Sequence, residues 1–173
     1  MKSVFLFVFL LLFLSSCSKK SEPELFKEGQ AAEEQQNFQL AIERYQEIVD
    51  RFPGKAYADS AVYRTAVIYN NDVHDFVKAV RTYQQYYTMF PNSEEAPTAM
   101  FLSGFILNNE LHKLDSAKIV YETFLQKYPG HQLASSAEFE LETLGKDPGQ
   151  FIKTDVASTE DEMAKKTKKE FKK

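Results

Sequence analysis

The sequence has few of the residues that build catalytic centres and metal sites. It contains one cysteine, three histidines and no tryptophan, and its six glycines are scattered along the chain. A single cysteine excludes a disulfide framework within the chain and any metal site built from several cysteines. The sequence also lacks the G-x-S-x-G and H-E-x-x-H motifs and a glycine-rich phosphate loop. We therefore predict no catalytic residues, no cofactor and no metal ligands.

The chain also lacks an excess of positive charge. Residues 17–145 include 19 acidic and 12 basic residues, whereas residues 146–173 include 8 basic and 6 acidic residues. Binding to nucleic acid needs clustered cations that neutralise phosphates. Because the main part of the chain is acidic, we expect no nucleic-acid partner.

One long apolar run is present, close to the N-terminus. Residues 4–14 are all apolar; they follow Lys2 and precede Ser15, Ser16 and Cys17. A helix of that length rises only about 16 Å, which is short of the roughly 30 Å hydrocarbon core of a bilayer. A charged start, a short apolar core and small residues at the end are typical of a cleaved export signal. The pattern predicts a signal peptide over residues 1–16.

The end of this segment, Leu14-Ser15-Ser16-Cys17, resembles the bacterial lipobox. The resemblance implies that the Cys17 thiol is acylated and that the mature chain begins there. Each buried methylene contributes about 0.8 kcal/mol, so several acyl chains give a stable anchor. In proteobacterial families, Ser18 at the next position points to the outer membrane, although other lineages sort lipoproteins differently. The alternative is an ordinary secretory signal with an incidental cysteine.

The sequence beyond this segment repeats one unit with a period of 38 residues. Such a period indicates stacked supersecondary units. Five sets of equivalent residues keep the interval: Pro53, Pro91 and Pro129; Phe52, Phe90 and Tyr128; Ala41, Ala79 and Ala117; Tyr45, Tyr83 and Tyr121; Phe38, Phe76 and Leu114.

Each unit predicts two helices. In residues 38–52 the apolar residues fall on one face of a 3.6-residue helix, which Pro53 and Gly54 end. Asn37 and Asp75 are expected N-caps of this helix in the first two units. In the third unit Lys118 interrupts the apolar stripe, which predicts a more exposed side. A second helix precedes each of these and contains a small residue for close approach: Gly29, Ala66 or Gly104.

This order of small, aromatic, small and aromatic residues before a proline resembles the tetratricopeptide repeat. The period exceeds the usual length of about 34 residues, as it does in the BamD-like and YbgF-like (CpoB) envelope families. The resemblance implies an all-α fold: a right-handed superhelical array of about three helix hairpins, with a capping helix within residues 131–144. It is carried by Gly29, Ala41, Tyr45 and Pro53; by Ala66, Tyr69, Ala79, Tyr83 and Pro91; and by Gly104, Leu107, Ala117, Tyr121 and Pro129.

These patterns divide the chain into four predicted segments. A signal peptide (1–16) precedes a linker after the lipidated cysteine (17–23), a tetratricopeptide-repeat domain (24–145) and a lysine-rich tail (146–173). The tail has too few apolar residues to fold alone, which predicts a disordered, solvated segment. The alternative is a contact of the tail with anionic lipid, lipopolysaccharide or an acidic partner.

In the tetratricopeptide family the first helix of each repeat lines a concave groove, so the resemblance implies a partner-binding surface. Aromatic side chains beside amides suit an extended segment or a helix. Two other interpretations stay open: the aromatics are core residues between layers, and the paired asparagines cap helix C-termini. The implied positions are Phe26, Gln30, Glu33 and Glu34; Tyr63, Val67, Asn70 and Asn71; and Phe101, Phe105, Asn108 and Asn109.

His74 and His112 also keep the period of the repeat. Equivalent turns in adjacent repeats lie roughly 10 Å apart, which is too far for two ligands of one metal ion. We therefore interpret both histidines as turn residues.

The resemblance implies a binding protein rather than an enzyme. It predicts a lipid-anchored scaffold at the outer membrane that faces the periplasm, binds other envelope proteins or peptides and acts in outer-membrane protein assembly, as BamD-like proteins do. An alternative is a YbgF-like accessory of the Tol–Pal, peptidoglycan and cell-division machinery, although the coiled coil typical of that family is not evident here. A third, an envelope hydrolase, is disfavoured because no nucleophile–base pair is present.

Overall fold

The structure, a computed structural model, describes residues 20–146. These residues form seven α-helices and no strand. The predicted signal peptide, Cys17 and all of the predicted tail except Lys146 lie outside the described residues. The helices are α1 (Glu22–Glu34), α2 (Phe38–Arg51), α3 (Ala58–Asn71), α4 (Phe76–Met89), α5 (Ala96–Asn109), α6 (Leu114–Lys127) and α7 (Ala134–Thr143). The predicted all-α fold of helix hairpins is confirmed.

The chain divides into two compact units between Ala58 and Asp59. In the first unit α1 packs against α2. Gly29 permits close approach of the two helices, because a Cβ atom at this position would lie 2.5 Å from Cε1 of Tyr45. The core of this hairpin is formed by fully buried apolar side chains: Leu25, Ala41, Tyr45 and Ile48.

The second unit contains two further hairpins and the terminal helix. Tyr63 of α3 packs edge-on against Tyr83 and Tyr86 of α4. Helix α5 packs against both α4 and α6, and α6 packs against α7. As in the first unit, a glycine lies against a tyrosine: a Cβ atom at Gly104 would lie 2.9 Å from Cε1 of Tyr121.

The second helix of each hairpin ends in the same way. The backbone N–H groups of Phe52, Phe90 and Tyr128 donate to the carbonyl groups four residues earlier, each at 2.8 Å. A proline follows each of these residues, and a proline disfavours helical backbone at the residue before it. The three predicted helix ends are therefore confirmed, and Gly54 takes the left-handed conformation with φ of 73°.

The starts of these helices differ between the hairpins. The Asn37 side chain accepts a hydrogen bond from Leu40 N–H at 3.3 Å, and the Asp75 side chain accepts one from Lys78 N–H at 3.0 Å. Both predicted N-caps are confirmed. In the third hairpin Lys113 occupies the cap position and its side chain makes no cap bond.

The turn inside each hairpin contains one non-glycine residue in the left-handed region. These residues are Gln36, His74 and His112, with φ between 50° and 57°. Histidine is several-fold enriched in this conformation, so the interpretation of both histidines as turn residues is confirmed. The first turn spans residues 35–37, and the others span residues 72–75 and 110–113. The first turn is therefore one residue shorter, which explains why Gly29 precedes Ala66 by 37 residues rather than 38.

The terminal helix α7 lies within the residues predicted to cap the array. Ala137 is fully buried, but Phe139 is 58% exposed. Phe139 corresponds to Tyr63 and Phe101, each of which packs on the next helix along the chain. The apolar face expected on this helix is therefore only partly buried. None of the helices in residues 20–146 has the length and apolar character needed to cross a membrane.

Candidate interaction surface

The first set of predicted surface residues lies along α1, in the first unit. Phe26 is half-buried, and its ring centroid lies 4.7 Å from that of Tyr57 and 5.6 Å from that of Tyr45. Phe26 thus packs on the paired helix and keeps part of its ring exposed. The other three positions are half-buried or exposed: Gln30, Glu33 and Glu34.

The second set lies along α3, in the second unit. The half-buried ring of Tyr63 has its centroid 5.2 Å from that of Tyr86. Burial, and then the negative charge of Glu95, raise the pKa of the Tyr63 hydroxyl, which therefore stays protonated at neutral pH. Asn70 Nδ2 donates to Asn71 Oδ1 at 2.6 Å, so the two side-chain amides are hydrogen-bonded to each other. Val67 and Asn70 are half-buried, and Asn71 is exposed.

The third set lies along α5 and has the most exposed aromatic surface of the three. Phe101 and Phe105 are stacked, with centroids 6.4 Å apart and an angle of 28° between the ring planes. Phe101 also contacts Tyr121 of α6, whereas Phe105 is 38% exposed. Asn109 Nδ2 donates to the Phe105 carbonyl at 3.1 Å in the last turn of α5. This bond ties the Asn109 side chain to the backbone of its own helix.

The carboxylate of Glu140, on α7, is hydrogen-bonded to a residue of the third set. Glu140 Oε2 accepts a hydrogen bond from Asn108 Nδ2 at 3.1 Å and a longer one from the Tyr121 hydroxyl at 3.5 Å. Burial, together with the negative charge of Glu140, raises the pKa of the Tyr121 hydroxyl. The sequence did not predict this role of Glu140, because the repeat period contains no signal for a bond between residues 32 positions apart.

A second polar cluster that the sequence did not predict holds the turn after α4. The Tyr86 hydroxyl and Ser93 Oγ lie 2.5 Å apart, and Ser93 Oγ donates to Glu95 Oε2 at 2.6 Å. The Ser93 hydroxyl is the main cause that lowers the pKa of Glu95, while burial raises the pKa of Tyr86 to about 12. Glu95 therefore stays ionised and Tyr86 protonated over the physiological range. The cluster fixes the connection between α4 and α5.

The structure places the predicted positions as three helical sets. The set on α1 belongs to the first unit, and the sets on α3 and α5 belong to the second. The two interpretations of the aromatics are not exclusive: Phe26, Tyr63 and Phe101 each pack on a tyrosine and remain partly exposed. Residues 20–146 contain no group of three His, Cys, Asp or Glu side chains placed to hold a metal ion.

The sequence of this helical chain matches a known protein family. A family model described as YfiO, outer membrane lipoprotein, matches residues 18–147. The chain belongs to the YfiO family. The match covers all seven helices and begins at the residue after Cys17. No curated protein matches the chain significantly.

Membership of the YfiO family fixes the general class of the protein. The family consists of outer membrane lipoproteins and is of a non-catalytic scaffold type, related to BamD-like tetratricopeptide proteins. It supports a location in the cell envelope and interactions with other envelope proteins.

Proposed function

We propose that this chain is a lipid-anchored scaffold for outer-membrane protein assembly. In this proposal Cys17 carries the acyl chains, the helical hairpins face the periplasm, and the protein binds other envelope proteins without catalysing a reaction. The observation that carries the proposal is the family match over residues 18–147, together with partly exposed aromatics at matched positions of all three hairpins.

The exposed part of α5 is the strongest support for a partner site. Phe105 is 38% exposed and stacked on Phe101, and Asn108 and Asn109 follow within the same turn. Aromatic residues are enriched among the side chains that dominate binding energy at protein interfaces. Amides beside them can both donate to and accept from a bound peptide backbone. A segment that buries Phe105 would therefore gain apolar contact and fixed orientation.

The lipobox-like sequence that ends at Cys17 supports the anchor, and the first helix begins shortly after it. Helix α1 begins at Glu22, because Ser21 and Glu24 form a capping box at its start and Pro23 occupies its first turn. Only four residues separate Cys17 from Glu22. An anchor on Cys17 would hold the first hairpin close to the membrane. Metabolic labelling with palmitate tests this point: the wild-type chain is expected to incorporate label and Cys17→Ala is not.

The assembly role is tested by depleting the protein and measuring folded β-barrel proteins in the outer membrane. We expect barrel levels to fall, and wild-type protein to restore them. The double variant Phe105→Ala/Asn109→Ala is expected to restore them poorly although it reaches the membrane. Met89→Ala is the matched control, because Met89 is 41% exposed but lies on α4, outside the three sets.

Three outcomes would count against parts of the proposal. Normal barrel levels with a defect in cell division or peptidoglycan would favour the YbgF-like alternative. Full rescue by Phe105→Ala/Asn109→Ala would remove α5 from the partner site. Hydrolase activity of the purified protein that a point substitution abolishes would contradict the scaffold assignment.

A further inference from the structure

A groove on the second unit lies on a different side of α5 from Phe105 and Asn109. It is an open cavity of about 400 Å³ between α4 and α6. Its floor is apolar and nearly buried: Val80, Leu107 and Val120 are at most 9% exposed. Leu107 is two residues from both Phe105 and Asn109, so it points roughly 160° away from them around the helix. The groove is therefore distinct from the predicted partner surface.

The two rims of this groove break the pattern of the repeat. Val77 on α4 is 42% exposed and Ile119 on α6 is 63% exposed, and both line the cavity. At the equivalent positions of the first hairpin stand Gln39 and Glu43, which form a hydrogen bond of 3.1 Å on the surface of α2. An aliphatic side chain has thus replaced a polar one at two positions 42 residues apart, and both replacements lie at one groove. A core requirement does not explain them, because neither side chain is buried.

The groove also carries two cations. Arg81 and Lys113 line it and are exposed. Among residues 20–146, neither side chain forms a hydrogen bond or a close ion pair; the pKa of Asp75 is lowered mainly by Lys78 and to a smaller extent by the positive charge of Arg81. Asp75, on the turn before α4, is held by Lys78 at 3.0 Å. In a body with 19 acidic and 12 basic residues, two such cations beside exposed aliphatic side chains favour an anionic partner.

We propose that this groove binds an amphipathic helix of another protein, with aliphatic side chains between Val77 and Ile119 and acidic side chains facing Arg81 and Lys113. A helix is favoured because it satisfies its own backbone hydrogen bonds, whereas an extended segment needs backbone partners that the apolar floor of this groove does not supply. The lysine-rich tail is a poor occupant because its 8 basic and 6 acidic residues give it a net positive charge, the same sign as these cations. A second copy would bring together two bodies that are both acidic.

Photo-crosslinking in intact cells tests this site with controls that the repeat itself supplies. A photo-reactive amino acid is placed in the full chain at Val77 or Ile119, and for the controls at Gln39 or Glu43. We expect products from the first two positions only, and mass spectrometry should map both to one partner segment. That segment should have apolar residues at helical spacing and Asp or Glu within one turn of them.

Charge reversal tests the cations separately. In the Arg81→Glu/Lys113→Glu variant, the yield from the Val77 position is expected to fall about tenfold or more. Because folding must be preserved, a second variant introduces the residues of the first hairpin, Val77→Gln/Ile119→Glu. Its circular-dichroism spectrum is expected to match the wild type, while its binding to the mapped segment, made as a synthetic peptide, is lost.

Several results would overturn the inference. They are products that consist of lipid, of the chain's own tail or of a second copy; equal yields from Gln39 and Glu43; or an unchanged yield after charge reversal. The inference is independent of the proposed function, because Phe105→Ala/Asn109→Ala is expected to leave the Val77 and Ile119 products unchanged. Failure of one site can therefore be distinguished from failure of the other.

Discussion

The first hairpin (α1–α2) and the third hairpin (α5–α6) have matching cores and different surfaces. Both hold a glycine against a tyrosine, and both end before a proline with the same hydrogen bond. On the surface of the first hairpin, charged side chains form ion pairs: Glu28 contacts Lys20 at 2.6 Å and Arg44 at 3.0 Å. The third exposes large apolar side chains instead: Phe105, Leu114 and Ile119 are each at least 38% exposed.

The comparison teaches that the repeat constrains the core but not the surface. Across residues 20–58 no large apolar side chain is as exposed as Phe105. On α6, Lys118 forms only a long contact with Glu122, at 3.9 Å. Monomeric proteins seldom expose large contiguous apolar patches, and such patches mark interaction sites. We therefore expect the contacts that contribute most to partner binding to lie on the second unit.

The largest change in stability is expected from the buried tyrosines, and it tests whether the cores of the first and third hairpins are equivalent. Tyr45 and Tyr121 are fully buried at matched positions. We expect Tyr45→Ala and Tyr121→Ala each to lower the free energy of unfolding by about 3–5 kcal/mol, because each removes a buried ring and leaves a cavity. Urea denaturation followed by circular dichroism measures both. A loss below about 1 kcal/mol for either variant would show that the hairpins do not share one kind of core.

A smaller change in stability is expected when Gly29 or Gly104 is replaced by alanine, and its size should differ between the two positions. Gly29→Ala places a methyl group 2.5 Å from the Tyr45 ring, whereas Gly104→Ala places one 2.9 Å from the Tyr121 ring. We expect Gly29→Ala to destabilise the protein by about 1–3 kcal/mol through overpacking. Gly104→Ala should be closer to neutral, because its clash is milder, so the gain of about 1 kcal/mol in helix propensity that both variants share offsets more of the cost. Thermal melts of the two variants rank them, and the reverse order would contradict this packing.

The helix starts give a third test. Asn37 caps α2, whereas Lys113 at the start of α6 makes no side-chain cap bond. Asn37→Ala is expected to cost about 1 kcal/mol, and Lys113→Asn to stabilise the protein by a similar or smaller amount. Chemical denaturation of the two variants under identical conditions measures both changes. If Lys113→Asn is neutral or destabilising, the α6 start lacks the backbone geometry that a cap requires.

The smallest effect concerns the charged surface of the first hairpin. Arg44 contacts Glu28 and Glu47, and these side chains are 27–40% exposed. Partly exposed ion pairs contribute about 0.2–1 kcal/mol and weaken with salt. We therefore expect Arg44→Gln to lower stability by no more than about 1 kcal/mol at low salt, and by less at high salt. Lys118→Gln on α6 is the control, for which we expect no measurable change.

Much of the fold could be predicted because the repeat restates each core position three times. The prolines mark helix ends, and the buried tyrosines and small residues mark the contacts between helices. Each of these signals is local, because it reflects a backbone or packing requirement at a single position. The caps at Asn37 and Asp75 are local in the same sense, since donor and acceptor lie three residues apart. Such features need no knowledge of the tertiary structure.

The features that the sequence did not predict depend on positions outside the repeat pattern. The bond from Asn108 to Glu140 and the pairing of Val77 with Ile119 across a groove join residues that no period relates. The exposure of Phe139 escaped prediction because its repeat position indicated a packed ring. The candidate partner surface was predicted only by resemblance, and its binding role stays a prediction. Binding surfaces are where repeats diverge, so periodicity cannot predict them.

The short first turn has a practical consequence for engineering. Because residues 35–37 replace a four-residue turn, α1 is aligned with α3 by a shift of 37 positions, while α2 is aligned with α4 by a shift of 38. A consensus built on one fixed period of 38 residues would place Glu28 where the small residue belongs, and every side chain of α1 would be assigned an orientation wrong by about 100°. Chimeras that exchange hairpins must therefore be cut within the turn, not at a constant interval.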